Sequence, residues 1–303
     1  MSYFLQFLII CALVLLGSVK VTLQGAMGRR YIRCAQDSVL FNIIFFAFIA
    51  CVVALFFGLS PVTPEVFLWA SAVSVFTVVF QLIYSIALSI GPVSLTVLIT
   101  SSSVFIATFA SVIMYKEQVY LPQLIAILFL ALSMVLSLKK SPDGRQISGR
   151  WLAMSFIAFF ATGTATLLQK MFSVSLGEQS GGKTSSTFLF LMYLLGAAML
   201  LIVYFVRAHT GKKEKSTAGI PRGMVLFALG MGLALGIYQK LNVFAMANID
   251  GAFFYPTYNG LTSVLMSVIG ILFFHDELNL RQRLGIVCGI VSVVLMNVRV
   301  WPI

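Results

Sequence analysis

Carboxylates are scarce in this chain. Its 303 residues include nine Asp and Glu against 20 Lys and Arg, and charged residues make up only 10% of the total. An average soluble domain has about 25%. Hydrophobic residues reach 60%, which indicates an integral membrane protein. The apolar runs are long and unbroken, whereas barrel strands alternate with period two, so we expect a helical bundle.

The sequence also lacks the residue clusters that metal and redox sites need. The four cysteines form no CxxC pair, and three of them fall in apolar runs, where cysteine behaves as a small hydrophobic residue. Both histidines map to predicted loops, and no HExxH motif is present. We therefore expect no metal, no cofactor and no enzymatic activity.

The excess of positive charge does not indicate nucleic acid binding. The formal net charge is +11, but no basic segment interleaved with aromatic residues lies outside the apolar runs. Cytoplasmic loops of membrane proteins carry an excess of Lys and Arg, and this pattern accounts for the charge. We predict a lipid bilayer as the environment and no nucleic acid as a partner.

Ten apolar segments are long enough to cross a membrane, which takes about 20 residues. They span approximately 4–26, 38–58, 66–89, 92–115, 119–138, 151–172, 186–206, 224–247, 252–274 and 280–298. The first lacks a positively charged flank and a small-residue cleavage site, so we interpret it as a transmembrane helix and not as a cleaved signal. If the loops after helices 1, 3, 5, 7 and 9 are cytoplasmic, they hold most of the basic residues. The positive-inside rule then places both termini outside.

The two halves of the chain contain the same succession of landmarks. Aligning residues 87–138 with 247–298 places the tight turns SIGPVS and NIDGAF within one residue of each other, with Gly91 on Gly251, and matches YKEQ with HDEL. One further apolar helix follows each acidic turn. Five helices separate the copies, an odd number, so the halves insert with opposite orientations. Secondary transporters use this inverted-repeat design, with the substrate site at the repeat interface near the midplane.

Together these features resemble the drug/metabolite transporter superfamily, in its EamA-like branch of ten-helix carriers. The resemblance covers essentially the whole chain. It implies an all-α integral membrane fold with ten transmembrane helices, arranged as two inverted five-helix repeats around a central cavity. Residues 1–140 would form the first repeat, 141–150 a cytoplasmic linker and 151–303 the second repeat. In that family helices 1–4 and 6–9 line the cavity. Members are similar to exporters of amino acids and other metabolites, to nucleotide-sugar and phosphate-ester exchangers, and to some uptake systems, and no residue pattern in this sequence singles out one of these.

Three lysines fall inside apolar segments, and no carboxylate accompanies them there. They are Lys20, Lys170 and Lys240, in the first, sixth and eighth segments. A charged side chain at the bilayer centre costs roughly 2.5–3.5 kcal/mol, so each lysine reaches the headgroups, lines a wet cavity or stays neutral. The shallow position of Lys170 favours the headgroups. Lys20 leaves both of the first two alternatives open, and the deeper position of Lys240 favours a cavity.

Polar residues near these lysines complete a predicted substrate site. They lie near a lysine on the same helix, share one face of the third segment, or lie beside Pro256, which cannot donate a backbone hydrogen bond and frees a carbonyl one turn earlier. The predicted substrate-binding residues are Lys240, Gln239, Tyr238, Asn242, Lys20, Gln24, Gln81, Tyr84, Tyr255, Tyr258, Asn259, Gln169 and Lys170. The glycines of LGMGLALG indicate either close helix packing or a flexible gating segment.

A cavity with lysine, amide and hydroxyl donors but no carboxylate favours an anionic or zwitterionic solute. We therefore predict a secondary transporter that moves a small polar metabolite, such as an amino acid, by alternating access, as an exporter or exchanger. The alternative is a transporter of cations, quaternary amines or drugs that uses tyrosines as an aromatic cage. We expect a multi-pass protein of the plasma (inner) membrane, monomeric or homodimeric.

Overall fold

The structure is a computed structural model. It describes residues 3–32, 35–91, 96–97, 99–100, 102–116, 120–137, 148–177, 182–209, 221–274 and 279–296. The helices of this part of the chain are α1 (Tyr3–Tyr31), α2 (Ala35–Phe57), α3 (Pro64–Ile90), α4 (Val104–Tyr115), α5 (Leu121–Ser137), α6 (Gly149–Ser175), α7 (Lys183–His209), α8 (Arg222–Asn248), α9 (Gly251–Phe274) and α10 (Leu280–Met296).

Six of the helices in the described residues are long and apolar enough to cross a membrane. They are α1, α2, α3, α6, α7 and α8. In hydrocarbon every backbone N–H and C=O must bond within the protein, and a helix satisfies these groups within one segment. Apolar runs of this length therefore fold as helices, and the predicted all-helical class is confirmed.

The helix ends differ from the predicted ones mainly where charged residues continue a helix. The apolar run ends near residue 26, but α1 continues to Tyr31. The residues GAMGRRY extend the helix beyond the apolar run. The NIDGAF turn is as short as predicted: only Ile249 and Asp250 separate α8 from α9. The Asp250 carbonyl accepts a hydrogen bond from the Phe254 N–H at 2.8 Å. The HDEL turn, the second half of YKEQ (117–118) and the second half of SIGPVS (92–94) lie outside the described residues.

The segment predicted as one helix over 92–115 is interrupted. Residues 96–97 and 99–100 are helical, Ser102 and Ser103 form a turn, and α4 begins at Val104. The Ser103 N–H donates to the Thr100 carbonyl at 3.1 Å, which is the tighter 3₁₀ pattern. The Thr100 hydroxyl itself bonds to the carbonyl of the preceding turn at 2.9 Å. Hydroxyl side chains that compete for backbone groups in this way weaken a regular helix.

The chain divides into two compact units, and each is discontinuous in sequence. The first unit comprises Met1–Ser18, Ile90–Leu167 and Asn248–Ile303, and the second comprises Val19–Ser89 and Leu168–Ala247. The second unit therefore contains α2, α3, α7 and α8 with the C-terminal parts of α1 and α6. The first unit contains α4, α5, α9 and α10 with the remaining parts of α1 and α6.

In the second unit α2 packs against α7, and a small residue allows the close approach. A Cβ atom at Gly196 of α7 would lie 2.7 Å from the Phe46 ring and 3.3 Å from Ser74 Oγ. The Ser74 hydroxyl donates to the Met192 carbonyl at 2.9 Å. Helices in lipid associate through such close contacts and interhelical hydrogen bonds, so this region holds α2, α3 and α7 together.

Two glycines of LGMGLALG also serve close packing. A Cβ at Gly232 would come 2.5 Å from the Phe48 ring, and one at Gly236 would come 2.8 Å from Val52 Cγ1. Both neighbours belong to α2, so α8 approaches α2 along this face. Gly230 has only an ordinary contact at 3.5 Å. The packing alternative therefore accounts for Gly232 and Gly236 without a gating role.

In the first unit α5 packs against α10, and α9 packs against both α4 and α10. The Ser292 hydroxyl of α10 donates to the Ala126 carbonyl of α5 at 2.7 Å. Trp151, at the start of α6, is only 1% exposed, and its Nε1–H donates to Thr96 Oγ1 at 3.0 Å. Its indole ring occupies the space that a side chain at Gly91 would need, so a glycine is required there.

Candidate functional site

The three lysines of the apolar segments all lie well inside their helices. Because α1 continues to Tyr31, Lys20 is about eleven residues, or ~16 Å, from the helix end, which is deeper than the apolar run alone implies. Lys20 is 7% exposed and Lys170 is 4% exposed, whereas Lys240 is half-buried. The burial of Lys170 does not fit the prediction that its side chain extends along the protein surface to the headgroups.

Lys240 is bonded by the residues that begin α7. Its ammonium donates to the Gly182 carbonyl and to the hydroxyls of Ser185 and Ser186, both at 2.8 Å. Gly182 has a φ of +78°, a conformation that glycine adopts without strain. An ammonium group has three N–H donors, so these three acceptors already match its capacity. Lys240 therefore ties α8 to the first turn of α7.

Lys20 has a much poorer set of partners. Among the described residues, its ammonium has one hydrogen-bond acceptor, Gln81 Oε1, at the long distance of 3.5 Å. The ammonium also lies over two aromatic rings of α3, at 5.8 Å from the Phe80 centroid and 5.2 Å from the Tyr84 centroid. Cation–π contacts lower the cost of burying a cation but use none of its N–H groups in ordinary hydrogen bonds.

One helical turn beyond Lys20, buried polar side chains of α1, α2 and α3 contact one another. We call Gln24, Ser38, Asn42 and Ser85 the amide cluster. Gln24 Nε2 donates to Ser85 Oγ at 2.8 Å, and Asn42 Nδ2 lies 3.4 Å from the same oxygen. Asn42 Nδ2 also donates to the Ser38 carbonyl at 2.7 Å. All four residues are at most 1% exposed, so α1, α2 and α3 meet here around polar groups.

The hydrogen-bonding capacity of these amides is only partly used. Within the described residues, Gln24 Oε1, Asn42 Oδ1 and Gln81 Nε2 are buried without a hydrogen-bond partner. Leaving a buried polar atom unpaired costs about 1–3 kcal/mol, and native proteins contain few such atoms. Lys20, Gln81 and the amide cluster therefore form a buried region with unused donors and acceptors.

A second hydrogen-bonded group lies next to Lys240 in the chain. Gln169 Nε2 of α6 donates to Gln239 Oε1 of α8 at 3.2 Å. Gln239 Nε2 in turn donates to the Tyr193 hydroxyl of α7 at 2.6 Å. Both polar ends of the Gln239 amide are thus occupied, and this network links three helices in the same way that Lys240 links two.

The remaining predicted site residues are not joined to these groups by the hydrogen bonds given above. Tyr238 is half-buried, and Asn242 contacts Met246 Sδ of its own helix at 3.9 Å. Tyr255 and Tyr258 belong to the first unit, where both rings contact Phe254. The side chain of Asn259 lies outside the described part of the structure.

The sequence analysis missed several residues of these groups. They are Ser38, Asn42, Ser85, Ser185, Ser186 and Tyr193. Asn42 carried a usable signal, since it is a single amide within the apolar run VLFNIIFF, and a polar side chain in such a run needs a partner. The serines and Tyr193 resemble ordinary packing residues in the sequence. Among the described residues, no group of three or more His, Cys, Asp or Glu side chains is arranged to hold a metal ion.

The chain is similar to known proteins in sequence and in fold. The EamA-like transporter family model matches residues 7–139 and 148–298. The multidrug resistance protein EbrA of Bacillus licheniformis is 32% identical over 106 residues, which are 34% of this chain and 97% of that protein. One crystal structure of a protein, 13% identical, superposes with a TM-score of 0.62 over 96% of this chain and 97% of its own, a likeness in fold alone. The two family matches span most of the sequence, and the chain therefore belongs to the EamA-like transporter family, as a membrane transporter of the drug/metabolite type.

Proposed function

We propose that this protein is a secondary transporter of a small anionic or zwitterionic metabolite, such as an amino acid. It moves this solute by alternating access, as an exporter or exchanger. The observation that carries the proposal is the poorly bonded ammonium of Lys20, which is 7% exposed and has one acceptor at 3.5 Å among the described residues. An anionic group on the solute provides the missing counter-ion.

The energetic reason lies in the surroundings of Lys20. A charge at the bilayer centre costs roughly 2.5–3.5 kcal/mol on the insertion scale, and buried charges are ordinarily paired. The rings of Phe80 and Tyr84 recover part of this cost. A carboxylate or phosphate that bonds to the ammonium recovers more, because hydrogen bonds between charged groups are about twice as strong as neutral ones.

We assign the counter-ion role to Lys20 and not to Lys240, which the sequence favoured. Lys240 already has three oxygen acceptors at the start of α7, so a solute anion would have to displace one of them. At Lys20, a solute anion would compete only with Gln81 Oε1 among the acceptors in the described residues. Lys240 then has a structural role in holding α7 against α8.

The inverted-repeat architecture belongs to the same proposal. We propose ten transmembrane helices in two inverted repeats, residues 1–140 and 151–303, joined by a cytoplasmic linker at 141–150. The family model matches twice, at 7–139 and 148–298, which supports this division. Helices five apart in the order pack together, namely α2 with α7, α4 with α9 and α5 with α10. Such pairing is expected when equivalent elements meet at a pseudo-two-fold axis.

Further parts of the proposal concern location and assembly. We propose a plasma (inner) membrane protein with both termini extracytoplasmic, because most basic residues then lie in cytoplasmic loops. We propose a monomer or homodimer with no enzymatic activity. The partners are the small-molecule substrate and the lipid bilayer.

A transporter of cations, quaternary amines or drugs is the second candidate. The similarity to EbrA, which is named a multidrug resistance protein, favours it. However, the aromatic pair Phe80 and Tyr84, which would suit a cationic ligand, already holds the Lys20 ammonium. A cationic solute would meet this like charge, which makes the anionic or zwitterionic solute the stronger candidate.

A ligand screen on the detergent-solubilised protein tests the choice. The melting temperature is measured with amino acids, phosphorylated metabolites, nucleosides and quaternary amines, because a ligand that binds the native state raises it. We expect hits among anions or zwitterions that are lost in Lys20→Met and kept in Lys183→Met, a control at an exposed lysine. Hits confined to cations, and retained or improved in Lys20→Met, would replace this proposal with the second candidate.

A further inference from the structure

The amide cluster contains an acceptor whose direction is fixed by its neighbours. The two ends of an amide side chain are distinguished by what they bond. Asn42 Nδ2 donates to the Ser38 backbone carbonyl at 2.7 Å, and a carbonyl only accepts hydrogen bonds. The other end of the amide, Asn42 Oδ1, is therefore an oxygen. It is buried and has no hydrogen-bond partner among the described residues.

The amide of Gln81 is fixed in the opposite sense. Its Oε1 faces the Lys20 ammonium, which only donates hydrogen bonds, so Gln81 Nε2 must be the end without a partner. Unused donor groups therefore collect at Lys20 and Gln81. An unused acceptor lies at Asn42, and Gln24 Oε1 is a second one.

The donors and the acceptors are separated by one helical turn. Lys20 contacts Gln81, and Gln24 contacts Ser85, so both α1 and α3 advance by four residues between the two contacts. One turn of an α-helix rises about 5.4 Å. A solute that carries an anionic group and a protonated amine on neighbouring atoms can span this separation with a hydrogen bond of ~2.9 Å at each end.

We propose that Asn42 and Gln24 form an amine-binding subsite for a zwitterionic solute of the α-amino acid class. The solute carboxylate bonds to the Lys20 ammonium and Gln81 Nε2, and its ammonium group bonds to Asn42 Oδ1 and Gln24 Oε1. This subsite rests on the proposed function, because it takes Lys20 as the counter-ion of the carboxylate. It adds a requirement for the amine that a simple anion carrier would not have.

Matched ligand triplets test the requirement on the purified, detergent-solubilised full chain. Each triplet contains an amino acid, the same molecule without its amine, and the same molecule without its carboxylate. The probes are alanine, propionate and ethylamine; leucine, 4-methylpentanoate and 3-methylbutylamine; and phenylalanine, 3-phenylpropionate and 2-phenylethylamine. Titration calorimetry gives the dissociation constant of each. In at least one triplet we expect the amino acid to bind about tenfold or more tightly than either analogue.

Variants at Asn42 test whether this residue causes the preference for the amino acid over its deaminated analogue. Asn42→Leu removes the acceptor at similar size, and we expect the tenfold preference for the amino acid over its deaminated analogue to fall to near one. Asn42→Asp, when protonated on the oxygen that faces the Ser38 carbonyl, keeps both the donor and the acceptor of the amide and should retain the preference. If Asn42→Leu does not yield folded protein, Gln24→Met supplies the same test, with an expected partial loss of the preference. An unchanged preference in a folded Asn42→Leu protein overturns the subsite.

The outcomes separate the subsite from the function on which it rests. If the deaminated acids bind as tightly as the amino acids, Lys20 remains the counter-ion and only the amine subsite is wrong. If the decarboxylated amines bind most tightly, both the subsite and the anionic or zwitterionic function are wrong. Failure of all nine probes to bind at about 10 mM, a concentration that nearly saturates a site with a dissociation constant of about 1 mM, overturns the amine subsite. The anionic or zwitterionic function is then decided by the wider ligand screen.

Discussion

Lys20 and Lys240 of the second unit should respond in different ways to the same substitution. Lys240 is held by three acceptors, whereas Lys20 has one at 3.5 Å. Replacing either with methionine keeps a long unbranched side chain and removes the charge. We expect Lys240→Met to lower the free energy of unfolding clearly and Lys20→Met to leave it nearly unchanged.

For Lys240 the loss follows from its hydrogen bonds. Hydrogen bonds to a charged group contribute about 1.5–3 kcal/mol each. The low end applies because the side chain is half-buried and because positive charge is disfavoured near a helix N-terminus. The hydroxyls of Ser185 and Ser186 retain the Gly182 carbonyl as a partner, and the variant no longer pays for desolvating an ammonium. The net loss is about 2–3 kcal/mol, or roughly 4–6 °C for a chain of this size.

For Lys20 the opposing contributions nearly cancel. Removing the charge relieves roughly 2.5–3.5 kcal/mol of insertion cost. Against this, the desolvated cation–π contacts contribute about 2 kcal/mol, and Gln81 loses the partner of its Oε1, which costs about 1 kcal/mol. We expect the melting temperature of Lys20→Met to stay within about 2 °C of the wild type.

Thermal unfolding of both variants in the same detergent, without added ligand, measures the difference. Lys183→Met serves as the control, since this lysine is exposed at the start of α7. A fall in melting temperature for Lys20→Met equal to that for Lys240→Met would refute the reasoning. It would mean that Lys20 is a structural cation, and the case for its role as a substrate counter-ion would lose its basis.

Two further substitutions test the packing of the second unit. Gly232→Ala should lower the free energy of unfolding by about 1–3 kcal/mol, because the new Cβ would lie 2.5 Å from the Phe48 ring. The control Gly230→Ala, in the same helix, should be neutral or stabilising. Equal melting temperatures for the two variants would contradict this packing. Thr187→Val should cost about 1–3 kcal/mol, because Thr187 Oγ1 accepts from the Ser60 N–H at 2.8 Å and donates to the Ser60 carbonyl at 3.0 Å. Thr187→Ser keeps both bonds and should melt close to the wild type, and a similar fall in both variants would point to lost methyl packing instead.

Much of the fold could be predicted because it depends on local chemistry. An apolar run in lipid has to satisfy its own backbone, so the helical class and the approximate spans follow from composition. The turn at Ile249 and Asp250 follows from a short polar interruption between two apolar runs. The exceptions are places where local rules compete. α1 continues into a charged segment as far as Tyr31, and the hydroxyls around Ser102 and Ser103 interrupt a segment that is apolar enough for a continuous helix.

The candidate site was predictable in its residue types but not in its pairing. Lys20 and Gln24 were predicted to share a face of α1, and Gln81 and Tyr84 a face of α3. The contacts of Lys20 with Gln81 and of Gln24 with Ser85 come from the structure. Asn42 was not predicted because it is uncharged and is not a sequence neighbour of Lys20, Lys170 or Lys240. Tyr193 was overlooked because a tyrosine in an apolar run is a common packing residue.

From the sequence alone it followed that this is a helical membrane protein with cations, and few anions, placed among apolar residues. Only the tertiary structure decided which of those cations is already bonded. The acceptors of Lys240 lie 54 to 58 positions away in the chain, and that of Lys20 lies 61 positions away. Hydrogen bonds act over about 3 Å, so the difference between a satisfied lysine and an unsatisfied one depends on how distant helices pack, which helix periodicity within a single segment does not specify.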